Sequence, residues 1–380
     1  TLIVSTGTIA LQEQLVKKDL PDLLSNCGWD FSYTLMKGRG RYACNLRMHN
    51  YLAELSTSKG DALFLFDDEK VLEDPVTADL YTELWEAMEN GTWDGDRDTW
   101  KSHIDEFHWR PLTVDRRQCA GRNCRFVKEC AFFRARSELE VSDCIVVNHD
   151  LVMADFSLGG GIILPPLEES IYVFDEAHRL CETAVRHFGA DCHIKSSCNW
   201  LEKVNRQCKA QAGINETGSE LVELLSIVAE QAQNVLNLLK ESHPICEQYL
   251  SKIHVTGEEK TYRFSHGNVE DDLRLLSIQI KKTLGDWLKQ VEALNNLLKD
   301  MLTNRNGQVA VENIENLFQI VGQWLGRAKK MTVLWDKLSR DIRAESIPLA
   351  RWVSSLTAAN RREEISLSAY PIVASEPLFK

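Results

Sequence analysis

Three short apolar runs along the chain are typical of strands in a parallel sheet. They cover residues 2–5, Cys144–Asn148 and Ile171–Phe174, and each leads directly into polar residues. A short run of mostly β-favouring residues suits a strand buried on both faces of such a sheet. The sequence therefore predicts an α/β fold, with side chains of chemical interest just beyond the carboxyl ends of these strands.

From about Ser196 to Ala344 the pattern changes, and apolar positions recur every three or four residues. Three segments carry this stripe, residues 219–240, 276–301 and 314–342, the last one ending at Ile342. Such a stripe is typical of one face of an amphipathic helix. We predict three long helices in a bundle, with the stripes serving packing and not a cofactor site.

The chain has 380 residues, which exceeds the size at which single cores stop growing, so two or more structural units are expected. The net charge of −12 argues against non-specific polyanion binding by the whole surface, so nucleic-acid contacts would come from local basic patches. No run of eighteen apolar residues and no charged-then-apolar leader occurs, so no membrane association is expected. The chain begins at Thr1 directly in strand-like sequence, which suggests a fragment.

An acidic pair, Asp175 and Glu176, follows the third strand. An Asp there can hold Mg²⁺ on nucleotide phosphates, because Mg²⁺ keeps most of its waters and takes one or two carboxylates. The neighbouring Glu can polarise an attacking water. The alternative interpretation is a surface turn after a strand, where Asp-Glu pairs are common.

The eleven cysteines are odd in number and irregularly spread, which does not indicate a disulfide framework. Cys119, Cys124 and Cys130 have the spacing C-x4-C-x5-C, and Cys44 lies 75 residues before the first of them. Four thiolates are the usual demand of a structural zinc or an iron–sulfur cluster. Zinc ribbons favour two C-x2-C pairs, which are absent here, so iron–sulfur is favoured; the alternative is unrelated thiols.

Basic and glycine-rich turns offer candidate phosphate contacts. The turn after the first strand, Ser5-Thr6-Gly7, opens a helix whose free N–H groups suit a phosphate. Lys37-Gly38-Arg39-Gly40-Arg41 is a basic turn, and arginines including Arg134 surround the cysteine trio. These arginines would offset the charge of a cluster, bind phosphates, or form a solvated face. Asn148 and His149 either position a loop near nucleic acid or are structural.

Several of these segments resemble one family. Residues 171–178, Ile-Tyr-Val-Phe-Asp-Glu-Ala-His, resemble the Walker B or DEAH box of a superfamily 2 helicase. The four cysteines, with Gly-Arg-Gly-Arg-Tyr before Cys44 and residues 129–136 around Cys130, resemble the [4Fe–4S] pattern of the DinG branch of the XPD-like helicases. Residues 1–20 are similar to helicase motif Ia, which grips single-stranded DNA, and residues 146–149 are similar to a DinG segment.

The resemblance implies a partial RecA-like motor domain with two insertions. Residues 1–40 and 132–190 would belong to motor domain 1, carrying motif Ia and the DEAH box respectively. Residues 41–131 would form the iron–sulfur domain, residues 191–345 an all-helical arch, and residues 346–380 a return to the motor domain. An arch beside the cluster domain would form a hole that single-stranded DNA can thread.

The resemblance also implies roles and partners. Glu176 would activate water, Asp175 would hold the Mg²⁺ of ATP, and His178 would link the nucleotide site to DNA-bound elements of a 5′-to-3′ helicase. Contacts with single-stranded or forked DNA would come from Ser5, Thr6, Gly7, Lys37, Arg39, Arg41, Arg134, Asn148 and His149. We expect a cytoplasmic monomer, with a single-stranded-DNA-binding protein as a candidate partner.

No G-x-x-x-x-G-K-[ST] motif occurs in the chain, and the second motor domain expected from the resemblance is also missing. Without a P-loop to bind the β- and γ-phosphates, the chain alone should hydrolyse ATP negligibly. Two further hypotheses stay open. One is a metal-stapled module that binds DNA or a partner without motor activity, and the other is a redox sensor whose cluster gates DNA affinity.

Overall fold

A computed structural model describes residues 1–56, 75–212, 219–253, 259–304, 311–341, 348–357 and 363–373. Four parallel strands form one sheet in the order β2-β3-β1-β4. They are β1 (Leu2–Thr6), β2 (Tyr33–Leu35), β3 (Cys144–Asn148) and β4 (Ile171–Phe174). The predicted α/β class with a parallel sheet is confirmed, and the sheet is consistent with a partial RecA-like domain.

The strands differ in burial because of their places in this sheet. β3 lies between two neighbours and its first four residues are buried. β4 pairs with β1 alone among the described residues, and Ile171 and Val173 are 69% and 46% exposed. The prediction that this run is buried on both faces is therefore wrong, because an apolar run cannot distinguish an edge strand from an inner one.

Short helices connect the strands of the parallel sheet. Between β1 and β2 lie α1 (Ile9–Gln14), a π-helical turn (Leu15–Asp19) and α2 (Leu20–Cys27). Thr8 caps α1, since its Oγ1 accepts a hydrogen bond from the Leu11 N–H at 3.3 Å. Helix α7 (His149–Phe156) follows β3 and α8 (Leu180–Phe188) follows the β4 turn.

A long insertion separates the neighbouring strands β2 and β3. Its helices are α3 (Asn45–Ser56), α4 (Pro75–Glu89), α5 (Glu106–Trp109) and α6 (Ala131–Ser137). Its entry is fixed by the Ala43 N–H, which donates to Gly95 O at 2.9 Å, and by the Cys44 N–H, which donates to Leu112 O at 2.8 Å. Three tryptophans in edge-to-face contact (Trp93, Trp100 and Trp109) give it a packed interior.

Long helices follow, as the apolar stripes predict. They are α9 (Ile194–Ala212), α10 (Ser219–Ser251), α11 (Asp271–Asn304) and α12 (Val311–Ser339). Trp287, Trp324 and Trp335 are fully buried between them, and the insertion packs into the same hydrophobic core. Ile342, where the third stripe ends, lies outside the described residues.

A second, antiparallel sheet closes the helical region. Its order is β5-β8-β7-β6, formed by β5 (Ala190–His193), β6 (Glu259–Arg263), β7 (Leu349–Thr357) and β8 (Glu363–Pro371). The all-helical expectation for residues 191–345 thus misses most of β5 and all of β6, a strand of largely polar residues. The segment expected to return to the motor domain pairs with β5 and β6 in the described part, and the domain boundaries remain a prediction.

Within the described ranges, no helix is both long enough and apolar enough to cross a membrane.

Candidate functional site

The acidic pair lies at the carboxyl end of β4, beside the turn that follows β1. The Asp175 N–H donates to Ser5 O at 2.8 Å, which extends the strand pairing to the end of β4. A Cβ added to Gly7 would lie 3.7 Å from Glu176 Cβ and 2.8 Å from Arg179 Cδ. The two turns therefore touch, and Gly7 is the residue that lets them approach.

Glu176 has φ 54° and ψ 38°, a left-handed conformation that is costly for a residue with a Cβ. This conformation sets its carboxylate 3.3 Å from His178 Nε2 and 3.8 Å from Arg179 Nε. The side chains of Glu176 and His178 are partly exposed to solvent. Open carboxylates beyond a parallel strand can hold a hydrated Mg²⁺ ion. The catalytic assignment of these residues stays a prediction.

Ser5, Thr6, Asn148 and His149 use their side chains inside the protein. Ser5 Oγ lies 2.7 Å from His149 Nδ1, and Asn148 Oδ1 accepts the Leu151 N–H at 2.9 Å to cap α7. Ser5 and Thr6 are fully buried, and burial lowers the pKa of His149 below its usual value. These side chains join the β1, β3 and β4 turns, so a DNA contact here would fall on the backbone or on Gly7.

The basic turn after β2 is largely engaged within the protein. Lys37 is 8% exposed, and its Nζ lies 2.6 Å from Asp96 and 2.8 Å from Asp98. Arg41 also pairs with Asp98, and burial raises the pKa of Asp96. The charge of Lys37 is therefore met by carboxylates of the insertion, and its side chain anchors the insertion to the sheet.

Two other arginines predicted to contact DNA are placed differently. The Arg39 guanidinium lies 3.7 Å from the centroid of the Phe132 ring, and the exposed Arg134 donates to Asp94 O at 2.9 Å. Both residues belong to the segment that connects β2 to β3. Their DNA contacts remain predictions.

The four predicted cysteines come together around one cavity. Cys44, Cys119, Cys124 and Cys130 line it with apolar neighbours, and its volume is about 30 Å³. Burial raises the pKa of Cys44 to about 11 and that of Cys124 to about 12, and it also raises the pKa of Cys130. Without a bound cation the Cys44 and Cys124 thiols are therefore neutral at pH 7.

The arrangement of these thiols bears on the kind of metal they fit. Over the ranges that the structure describes, no three Cys, His, Asp or Glu side chains converge closely enough to hold a single metal ion. A zinc ion needs four ligands within about 2.3 Å of one point. A [4Fe–4S] cluster takes four cysteine thiolates, and four cysteines line this one cavity.

A much larger basic cavity of about 1,610 Å³ lies between the basic turn, the insertion and the helical region. Among the described residues that line it, Lys and Arg far outnumber the acids, which are Asp115, Asp191 and Glu364. The helical region contributes five cations that the sequence did not single out: Lys195, Lys203, Arg206, Arg327 and Lys330. A cavity with this lining, in a chain of net charge −12, is suited to a polyanion.

Comparison with known proteins places these features in a family context. The chain is 31% identical over 356 residues to the ATP-dependent DNA helicase DinG of Photobacterium profundum, covering 93% of this chain and 49% of that protein. The chain is DinG-like. It is 28% identical over 371 residues to DinG of Escherichia coli K12, with 93% and 48% covered. No family model matches the chain. The chain thus spans about half the length of the curated relatives it matches.

The predicted resemblance to DinG is therefore confirmed. The sequence did not, however, predict the cations that the helical region contributes to the basic cavity. The cations on α9 and α12 lie among many other charged residues on helices, and no pattern in the sequence distinguishes them. Only the packing of these helices against the insertion makes them neighbours. A weak signal existed for α12, where Glu315, Gln319 and Gly322 interrupt an otherwise apolar buried face.

Proposed function

We propose that this chain is most of the first motor domain of a DinG-type ATP-dependent DNA helicase, with a [4Fe–4S] insertion and a helical arch. The observation that carries the proposal is the meeting of Cys44 with a cysteine trio that begins 75 residues downstream, around one cavity, in a chain similar to DinG over 93% of its length. ATP hydrolysis would require the P-loop and the second motor domain. Motion along DNA from 5′ to 3′ follows from the resemblance.

On the nucleotide side, Asp175 would hold Mg²⁺ and Glu176 would orient the attacking water. The open carboxylates and the strained backbone of Glu176 support these roles. His178, whose Nε2 lies 3.3 Å from the Glu176 carboxylate, would couple the nucleotide site to the β1 turn and to the DNA bound there. In the chain alone we expect no steady ATP turnover, with or without the substitution Glu176→Gln. Turnover that is lost on this substitution would contradict the need for the missing parts.

On the metal side, Cys44, Cys119, Cys124 and Cys130 would hold the cluster. Such a cluster would cross-link the insertion and exchange one electron. The four thiols around one apolar cavity support this assignment, since they supply the ligands that such a cluster takes. The protein's own contribution is to exclude water with Phe132 and Phe133 and to set the sulfur positions.

Anaerobic purification, with iron, sulfide and zinc analysis and a visible spectrum, tests the metal proposal. We expect about four irons per chain and a broad band near roughly 400 nm. Cys44→Ala should lose both, whereas Cys208→Ala, a buried cysteine outside the cavity, should keep them. One zinc per chain without iron, or equal iron in both variants, would contradict the assignment.

The basic cavity would carry single-stranded DNA between the insertion and the helices. Phosphate binding releases counterions, so the slope of log affinity against log salt should be about −0.7 per phosphate contact. Arg206→Ala with Lys330→Ala should reduce that slope by about 1.4 in a fluorescence anisotropy titration. The matched control is Lys289→Ala with Lys299→Ala, because these lysines are on α11 and do not line the cavity. Equal slopes for both pairs would remove the cavity from the DNA path.

The finer expectations about location and assembly stay proposals. A cytoplasmic monomer assisted by a single-stranded-DNA-binding protein fits a helicase of this type. Sedimentation analysis of the chain with and without DNA checks the monomer directly, and a stable dimer at micromolar concentration would contradict it.

A further inference from the structure

One face of α12 runs along the loop that carries the cysteines. Glu315 Oε1 accepts the Arg125 N–H at 3.1 Å, and a Cβ added to Gly322 would lie 2.5 Å from Arg117 O. Between these two contacts, Gln319 Nε2 lies 3.8 Å from Cys44 Sγ. The positions are three and four residues apart, so they share one side of the helix. The helical region is therefore a direct neighbour of the cysteine cavity.

Gln319 is 2% exposed, and its amide is only half satisfied. Its Oε1 has no hydrogen-bond partner in the described part of the chain, while its N–H group points at sulfur. Leaving a buried carbonyl oxygen without a partner costs free energy, and a weak contact to a neutral thiol offsets little of that cost. A negatively charged sulfur is a stronger acceptor for the same N–H.

We propose that Gln319 is a positioning residue for the cluster, donating an N–H···S hydrogen bond to the Cys44 sulfur once that sulfur is a cluster ligand. The inference rests on the proposed iron–sulfur function and extends it to a residue on the helical region. Hydrogen bonds to ligand sulfurs help to set the reduction potential of such clusters. Because reduction adds one negative charge, a donor at this sulfur favours the reduced form and raises the potential.

The test is a one-electron reductive titration with dithionite and mediators, followed by electron paramagnetic resonance. At the midpoint potential of the unsubstituted chain, Gln319→Leu should lower the ratio of reduced to oxidised cluster about tenfold, equivalent to about 59 mV. Gln323→Leu is the matched control, since it removes an amide from the next turn of α12 at a residue that lines the basic cavity instead. The control should keep the ratio within about twofold of its original value.

Gln319→Met serves as a second variant, because it keeps the length of the side chain and decides the outcome if Gln319→Leu does not fold. Loss of iron from folded Gln319→Met, with iron retained in Gln323→Leu, would also support a positioning role. An unchanged midpoint in the folded Gln319 variants would overturn the inference. Absence of any cluster from the unsubstituted chain is a different failure, because it would refute the proposed metal function itself.

Discussion

The contact between α12 and the cysteine loop makes a sharp prediction for Gly322→Ala. The new Cβ would lie 2.5 Å from Arg117 O, 2.7 Å from Arg117 C and 2.8 Å from Gln118 Cα. All three are backbone atoms directly before Cys119, so no side chain can rotate away to make room. Either the helix or the loop must shift by roughly 1 Å, as overpacked cores do.

The magnitude follows from two opposing effects. Overpacking costs about 1–3 kcal/mol, and contact with three backbone atoms belongs in the upper half of that range. Replacing Gly by Ala inside a helix returns about 1 kcal/mol of helix propensity. We therefore expect Gly322→Ala to lower the free energy of unfolding by about 1–2 kcal/mol.

Gly285→Ala on α11 is the matched control. Nothing lies within 4 Å of a Cβ at that position, so only the propensity gain of about 1 kcal/mol applies. Urea unfolding followed by circular dichroism should give changes of opposite sign for the two variants. If Gly322→Ala were as stable as Gly285→Ala, α12 could not be packed against the cysteine loop as described.

Three further predictions concern stability. Trp287→Ala should lower the free energy of unfolding by about 3–5 kcal/mol in urea, because the ring is fully buried; a loss under about 1 kcal/mol would contradict this. Glu312→Gln should lower the free energy of unfolding by at most about 1 kcal/mol, because this carboxylate is half exposed. Glu315→Gln should lower it by more, because Glu315 is buried against the same Arg125. Equal losses for the two variants would refute this difference. Burial lowers the pKa of Lys337 to about 8, so the folded state loses this proton before the unfolded state does, and stability from this group rises between pH 8 and 10.5. Lys337→Met should flatten that rise relative to the unsubstituted chain; parallel pH profiles would count against it.

The parts of the fold that the sequence predicted are those with dense, regular apolar patterns. β1, β3 and β4 are marked by apolar runs, and the long helices by stripes that bury residues such as Trp287 and Trp335. The parts it missed have weak local signals. β2 has three residues, and β6 (Glu259–Arg263) is mostly polar, so each depends on partners far away in the chain.

The candidate site shows the same division. The spacing of three cysteines, together with the resemblance to DinG for Cys44, predicted which thiols would meet, because sulfur ligands are few and their chemistry is specific. Charge alone did not predict the ion pairs of Lys37, since its partners Asp96 and Asp98 lie about sixty residues downstream and no local pattern links them. Positive side chains form a site only where their neighbours leave them uncompensated, and that depends on tertiary packing.

The antiparallel sheet has a consequence for synthesis on the ribosome. His193 of β5 pairs with Ser366 of β8, so β5 has no β8 partner until about 170 further residues have been synthesised. At roughly 5–20 residues per second this delay is about 10–35 seconds. During that time the emerging helices can pair with one another, but β5 offers a bare edge to any nearby nascent chain. Pairing of β8 with β5 thus also removes the exposed edge through which two chains made on one messenger could pair with each other.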